Sequence, residues 1–313
     1  MQLCLMIEGQ EGVTWEEWVA IARACETHGI GTLFRSDHYL DLFGEHPERG
    51  ALDAWGTVCA LAAVTSTLRL GTMVSPATFR HPSELAKLVT TADHVSGGRV
   101  ELGLGAGWNE HEHAAHGFPF ADLRTRMDVL DEQLQVVLGN WSEGPFSFSG
   151  AHYALDELSA RPRPVQSPRP PLIMGGNAGP RAARLAARYA DEYNTGFATV
   201  DEVHERRGRI AAACERADRE MLAFSVMTGV VIGADDTELA RRAQRLEQRQ
   251  GFAPGSLLSD PPSGWIVGTV EQAAERLRAL GDAGVDRVMC QQLVHDDLDA
   301  IALLGERVAP LVA

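Results

Sequence analysis

The sequence predicts a (β/α)8 barrel, and three observations carry that reading. Apolar, β-leaning runs alternate with helical patterns from one end of the chain to the other. Residues 68–108 make one complete strand–helix–strand unit, and a crossover of that length implies parallel pairing. The 313 residues, 45% apolar and 23% charged, suit a single barrel domain with an ample core. A doubly wound open sheet is the weaker alternative.

Each element has its own local signal. Residues 3–8 form the first strand; residues 14–28 form an amphipathic helix with Thr14 as N-cap and Gly29 as stop. Residues 32–36 are the second strand, which ends in Asp37-His38-Tyr39 and runs into a loop through Gly50. After a helix over 52–65, residues 68–73 are a strand broken by Ser75-Pro76. Pro82 then opens a helix with Leu85, Leu88, Val89 and Ala92 at helical spacing, closed by Ser96-Gly97-Gly98. Residues 99–105 are the next buried strand, and Met127, Leu130, Leu134 and Val137 mark a helix over 124–138.

Residues 140–171 interrupt the rhythm. A segment alternating around Gly150 reads as a hairpin, and the proline-spaced tract RPRPVQSPRPP is an extended connector. Strand–helix units resume at residues 171–174, 192–195 and 224–232, each followed by a helix. Residues 251–264 are a second insertion, and both insertions are expected to form a lid by their loop position. Residues 265–268 read as a loop segment, which leaves eight strands once 287–291 is counted, with a closing helix over 298–308. The whole chain, 1–313, is one barrel domain with insertions at 140–171 and 251–264.

Composition narrows the partners. A net charge of -15 argues against nucleic acid and anionic membranes, both of which demand clustered positive charge. Any ligand phosphate must be met locally, by backbone N–H groups or a few arginines. The five cysteines have no metal-ligand spacing and read as small core residues. The first residues lack a signal-peptide pattern, and no run reaches the ~18–20 apolar residues of a membrane span, so a cytoplasmic protein is expected.

Polar residues crowd the predicted strand ends, where parallel α/β folds bind ligands. Asp37-His38 could bind a ligand and exchange a proton with it near neutral pH, or could serve as a cap and a loop hydrogen bond. Glu8 ends the first strand, one loop away, and could share that site or stand solvated at the rim. Met174-Gly175-Gly176-Asn177, followed by a helix opened at Pro180, suits a phosphate, although a plain tight turn has the same signature. Gly103-Leu-Gly-Ala-Gly107 only superficially matches a dinucleotide fingerprint; close approach of backbone to a flat ring is the better functional reading. In His111-Glu-His113-Ala-Ala-His116, His111 is expected to line a pocket, with His113 and His116 as surface or packing residues. No metal site is expected, because nothing at the fifth and sixth strand ends completes one. Phe79 and Trp108 could wall the pocket.

With those residues in view, the chain resembles the luciferase-like monooxygenase superfamily, specifically its probable F420-dependent oxidoreductases. The matching segments are IEGQEG at 7–12, LFRSDHYL at 33–40, LRLGTMVSPATFRHP at 68–82, SGGRVELGLGAGW at 96–108 and RPVQSPRPPLIMGG at 163–176, with RLAARYADEYNT at 184–195 and VGTVEQAAERL at 267–277. The resemblance implies a barrel holding coenzyme F420 at its strand C-termini, with FMN as the alternative cofactor. It implies that Asp37 contacts the ring system and that His38 faces the reacting side. It also implies a non-prolyl cis peptide at Thr72–Met73 against the ring, and Ser75 and His111 at the ring's border. Gly175, Gly176 and Asn177 would cradle the phosphate, and a homodimer would be common. Relatives acting on sugar phosphates carry a glutamate where Trp108 stands here and lysines that this chain lacks, Lys87 being its only one. A sugar-phosphate substrate is therefore not expected.

The expectation is an oxidoreductase that moves a hydride between reduced deazaflavin and a small organic substrate, with His38, Asp37 and Glu8 as the catalytic set. Thr72, Met73, Ser75, Trp108, His111 and the 174–177 turn would join Asp37 against the cofactor. An FMN-dependent monooxygenase is the first alternative. A metal-dependent hydrolase on the same barrel, using His111, His113, Glu112 and Asp37, is the second.

Overall fold

A computed structural model describes residues 1–41, 46 and 48–313 of the chain. The loop expected after Tyr39 includes residues 42–45 and 47, which lie outside the described residues.

Twelve strands occur among the described residues: β1 (Gln2–Ile7), β2 (Thr32–Arg35), β3 (Arg69–Thr72), β4 (Ser75–Pro76), β5 (Val100–Gly105), β6 (Phe146–Ser149), β7 (Ala154–Leu158), β8 (Leu172–Gly175), β9 (Glu192–Gly196), β10 (Ala223–Gly233), β11 (Ile266–Thr269) and β12 (Arg287–Gln291). Eight of them pair in parallel as a closed ring, β1-β2-β3-β5-β8-β9-β10-β12, with β12 returning to β1. The fold is the expected (β/α)8 barrel. Its outer helices include α1 (Trp15–Thr27), α2 (Ala54–Val64), α3 (Pro82–Ser96), α4 (Glu110–His116), α5 (Leu123–Trp141), α6 (Pro180–Tyr189), α7 (Val200–Arg216) and α8 (Asp236–Gln250).

One strand corrects the sequence reading. Residues 266–269 are not a loop: Ile266–Thr269 pairs in parallel with Val230–Gly233, the second half of β10. The first half of β10 stays in the ring between β9 and β12, so β10 outruns the barrel and β11 joins only its overhang. The ring therefore keeps eight strands. The hairpin in the first insertion is present as β6–β7, antiparallel and separate from the barrel sheet.

Two apolar layers follow from the period-2 alternation of β-strands. In β1, Leu3, Leu5 and Ile7 point outward to the helices, while Cys4 and Met6 join Phe34, Met73, Ile173 and Met289 inside the ring. The helices start where the sequence says they should. Thr14 and Glu17 form a reciprocal capping box on α1, and Pro82 opens α3, which ends at Gly97 in the left-handed conformation. Cys4, Cys25, Cys214 and Cys290 are buried free thiols, as small core residues should be.

Buried charges seal the N-terminal end of the barrel. Arg287, the first residue of β12, bridges Glu101 on β5 (2.8 Å) and Glu192 on β9 (2.5 Å), and Arg69 adds a second guanidinium to Glu101 (2.7 Å). Among the described residues, no helix is long and apolar enough to cross a membrane.

Candidate active site at the C-terminal rim

The opposite end of the barrel opens into a cavity of about 1220 Å³, lined by the ends of β1, β2, β5, β8, β9 and β12 and by the loops that follow them. That volume exceeds what one small molecule needs. Its walls are largely apolar, with Met73, Val74, Met127, Phe252, Trp265 and Leu293 among them.

His38 stands in the wall where β2 has ended. Its Nδ1 lies 2.7 Å from Oε2 of Glu112, a fully buried carboxylate on α4. The other oxygen of Glu112 accepts the backbone N–H groups of Tyr39 (2.5 Å) and Leu40 (3.1 Å). Asn109 caps α4 and fixes Glu112 in turn, its Oδ1 accepting the Glu112 N–H at 3.2 Å. An ionised carboxylate only accepts, so Nδ1 carries the proton and Nε2 is left for the cavity. Burial acts against a charged His38, but the hydrogen bond and charge of Glu112, with Glu8 and Asp37 behind them, raise its pKa above the ordinary value. Burial likewise penalises the charged form of Glu112, yet the bond and charge of His38 and the two N–H donors hold its pKa below the usual carboxylate range. The Trp108 ring meets His38 edge-on, 5.7 Å between centroids.

Asp37 is placed differently from its neighbour. It is buried behind the wall, where Oδ2 accepts from Ser75 Oγ (2.6 Å) and Arg80 Nη1 (2.6 Å) and Oδ1 from Arg80 Nη2 (3.1 Å). Ser75 Oγ also lies 3.1 Å from Thr72 Oγ1 and accepts from Trp55 Nε1 (3.0 Å). Asp37, Thr72 and Ser75 thus form a buttress, and the residues in front of it that reach the cavity are Met73 and Val74. The non-prolyl cis peptide lies here, between Met73 and Val74, one residue later than expected.

The glycine-rich strand end has a corresponding explanation. A Cβ on Gly103 would overlap the Thr72 carbonyl oxygen, and one on Gly105 or Gly175 would come within 2.8 Å or 3.2 Å of the Val74 methyls. Gly103 and Gly105 make room for the protruding 72–74 segment, and Gly105 and Gly107 also line the cavity.

At the β8 end, Gly175, Gly176 and Asn177 line the cavity, whereas Met174 is buried beneath them. Gly176 has φ 145°, and the turn is pinned by the Gly176 N–H on Asn194 O (3.0 Å) and the Ala178 N–H on Tyr193 Oη (2.8 Å). Helix α6 follows with Gly179 as N-cap and no side-chain cap, unlike α1 to α5, so its first N–H groups are left for a ligand. Arg181, in that first turn, also lines the cavity and pairs with Asp128. This cradle fits the phosphate of a flavin-type cofactor, and the apolar protrusion of Met73 and Val74 fits the face of its tricycle.

Several expectations need correcting. His111 is exposed and does not line the cavity; the buried His113, two residues on, does. His113 is held between Thr78 Oγ1 (2.6 Å) and Asn109 O (2.6 Å). Only the second insertion reaches the cavity, through Phe252, Pro262 and Ser263; no residue of 140–171 lines it. The hydrolase reading finds no support: Asp37 is closed by Arg80, Glu112 by His38, and His111 faces away. Among the described residues, no three His, Cys, Asp or Glu side chains are grouped to hold a metal.

Sequence reasoning passed over Glu112 as an orienting carboxylate, since its spacing from Asn109 reads as an ordinary helix start. It gave no particular role to Asn109, whose buried Nδ2 has no partner among the described residues and which lines the cavity. Glu8 and Trp108 do line the cavity, as expected.

The family description of luciferase-like monooxygenases matches residues 3–287. The chain belongs to that family. Similar proteins include an F420-dependent hydroxymycolic acid dehydrogenase of Mycobacterium tuberculosis, 31% identical over 227 residues, which covers 72% of this chain and 57% of that protein. An FMNH(2)-dependent dimethylsulfone monooxygenase of Pseudomonas putida is 27% identical over 285 residues, covering 81% of this chain and 76% of that one. Among solved structures, an F420-dependent secondary alcohol dehydrogenase in complex with an F420-acetone adduct superposes with TM-score 0.81 at 18% identity, over 100% of this chain and 99% of the other, a likeness of fold. This protein is therefore an enzyme of the luciferase-like class, whose relatives use F420 or FMN.

Proposed function

We propose that this enzyme is an F420-dependent oxidoreductase that transfers a hydride between the deazaflavin and a small organic substrate, from the reduced cofactor to a carbonyl carbon or from a carbinol carbon to the oxidised cofactor. The observation that carries the reading is the His38–Glu112 pair in the cavity wall. Reducing a carbonyl takes one hydride and one proton. The cofactor supplies the hydride chemistry when bound. The proton comes from Nε2 of protonated His38, which Glu112 orients and whose charged form it favours; in the reverse direction neutral His38 accepts the proton from the alcohol at Nε2. Asn109 Nδ2 is positioned to donate to a bound carbonyl oxygen or cofactor heteroatom.

Gly175, Gly176, Asn177 and the start of α6 would hold the cofactor phosphate, and Met73, with Val74, would press on the tricycle. In this reading Asp37, Thr72 and Ser75 act through that protrusion, as its support, and Met174 acts from under the glycine turn. Trp108 would close the side of the site next to His38 and exclude water there. The largely apolar cavity suits a small-molecule substrate.

An FMN-dependent monooxygenase is the second reading, favoured by the dimethylsulfone monooxygenase's coverage of 81% of the chain. Equilibrium titration of the purified protein with F420 and with FMN decides between them. Saturable F420 binding, with FMN weaker, is expected; tight FMN binding without affinity for F420 would overturn the proposal.

A further inference from the structure

Among the described residues, four carboxylates line the cavity, and three have their charge or lone pairs committed within the protein. Glu112 holds His38, Glu11 is paired with Arg49 at 2.6 Å and accepts from Gln250 Nε2 at 2.9 Å, and Asp41 accepts the His46 N–H at 3.3 Å. Glu8 differs. It is 6% exposed, yet among the described residues no Arg, Lys or His nitrogen lies within 4 Å of it.

Its donors are neutral. Gln291 Nε2 lies 2.5 Å from one oxygen and Gln10 Nε2 2.8 Å from the other. Gln10 is itself fixed, its Oε1 accepting from Ser36 Oγ at 2.5 Å, and Ser36 Oγ accepts the Gly9 N–H at 2.9 Å. The two amides aim the carboxylate without neutralising it, and each oxygen keeps lone-pair capacity toward the cavity. Among the described residues no cation pairs with Glu8 directly: His38 and Arg35 act on it only at longer range, so a ligand that brings a positive charge would be its first direct ionic partner. The net charge of -15 reinforces that polarity.

We propose that Glu8 is the recognition point for a protonated amine, and that the substrate is a small amine with an apolar body rather than a carboxylate or phosphate. The ammonium sits on Glu8, the apolar body packs along the walls that include Leu293, Met227 and Trp265, and the reacting carbon lies toward His38. Only that last placement rests on the function proposed above.

Binding to the cofactor-free full chain at pH 7 tests the proposal by calorimetry with three probes of one shape: cyclohexylammonium, cyclohexanol and cyclohexanecarboxylate. The ammonium should bind about tenfold or more tighter than the alcohol, with the carboxylate weakest. Glu8→Gln keeps the shape and removes the charge, and should bring ammonium and alcohol to within about twofold of each other. Glu8→Asp withdraws the charge and should leave a reduced ammonium preference, which covers the case in which Glu8→Gln does not fold. An ammonium bound no better than the carboxylate, or a preference unchanged in both variants, would overturn the assignment. Failure of F420 and FMN to bind would instead overturn the functional reading and leave this result standing.

Discussion

The two ends of the barrel both bury charge, and they do so to opposite effect. At the N-terminal end, Arg287 and Arg69 meet Glu101 and Glu192 in direct ion pairs away from the cavity, and of their buried atoms only Arg287 Nε and Glu192 Oε1 have no partner among the described residues. Glu101 is held well below the usual carboxylate range by Arg287 and Arg69 against the penalty of burial, and the pKa of Arg287 rises because both glutamates surround it. At the C-terminal end the groups are just as fixed but incompletely paired: Nε2 of His38 and the charge of Glu8 face a cavity, and Asn109 Nδ2 in its wall has no partner. The lesson is that burial alone does not separate structural charge from functional charge. What separates them is whether the charges pair directly with one another or stand in the wall of a cavity.

The largest effect should come from the open end. His38→Ala is expected to lower turnover by about 10²–10⁴-fold while cofactor titration stays near wild type, with a fall in melting temperature because the buried Glu112 loses its partner. Unchanged turnover would remove His38 as the proton carrier. The closed end should respond in the other currency: Arg287→Met leaves two buried carboxylates together and should cost about 3–5 kcal/mol of stability in a denaturant titration. A variant of full stability but no cofactor affinity would erase the distinction between the two ends.

Glu112→Gln sharpens the comparison, because Glu112 acts through His38. The pH limb of turnover that reports protonated His38 should move to lower pH, since the raised pKa depends on that carboxylate. Stability follows the same signs. The contribution of His38, whose folded pKa is raised, is fully present below its ordinary value and is lost as pH rises through the folded one. That of Glu112, whose pKa is lowered, is present above the ordinary carboxylate value and is lost as pH falls through the folded one. The variant should flatten both edges in melting curves across pH. The smallest effect expected is that of Gly103→Ala, about 1–3 kcal/mol from crowding the Thr72 carbonyl, read by denaturation. No loss there would mean that the 72–74 segment shifts freely.

Much of this was legible in the chain itself, for local reasons. Alternation of strand and helix, Pro82 and Gly97 around α3, and the glycine turn before Pro180 are short-range patterns, and they determined the barrel, its rim and the phosphate-type cradle. Placing Glu8, His38 and Trp108 at strand ends followed from the same rule, that loops after parallel strands meet at one face. What local pattern could not decide was the direction of side chains after those strands end. His111 and His113 differ by two positions, about 200° around a helix, so only the docking of α4 chose which one is buried. The same docking brought Glu112 to His38, 74 residues away in the chain. Asp37 and His38 are adjacent, and extended backbone sends neighbours to opposite sides, so one supports the wall while the other forms it. Sequence determined which residues stand at the rim; packing decided which of them close on the protein and which remain open to a ligand.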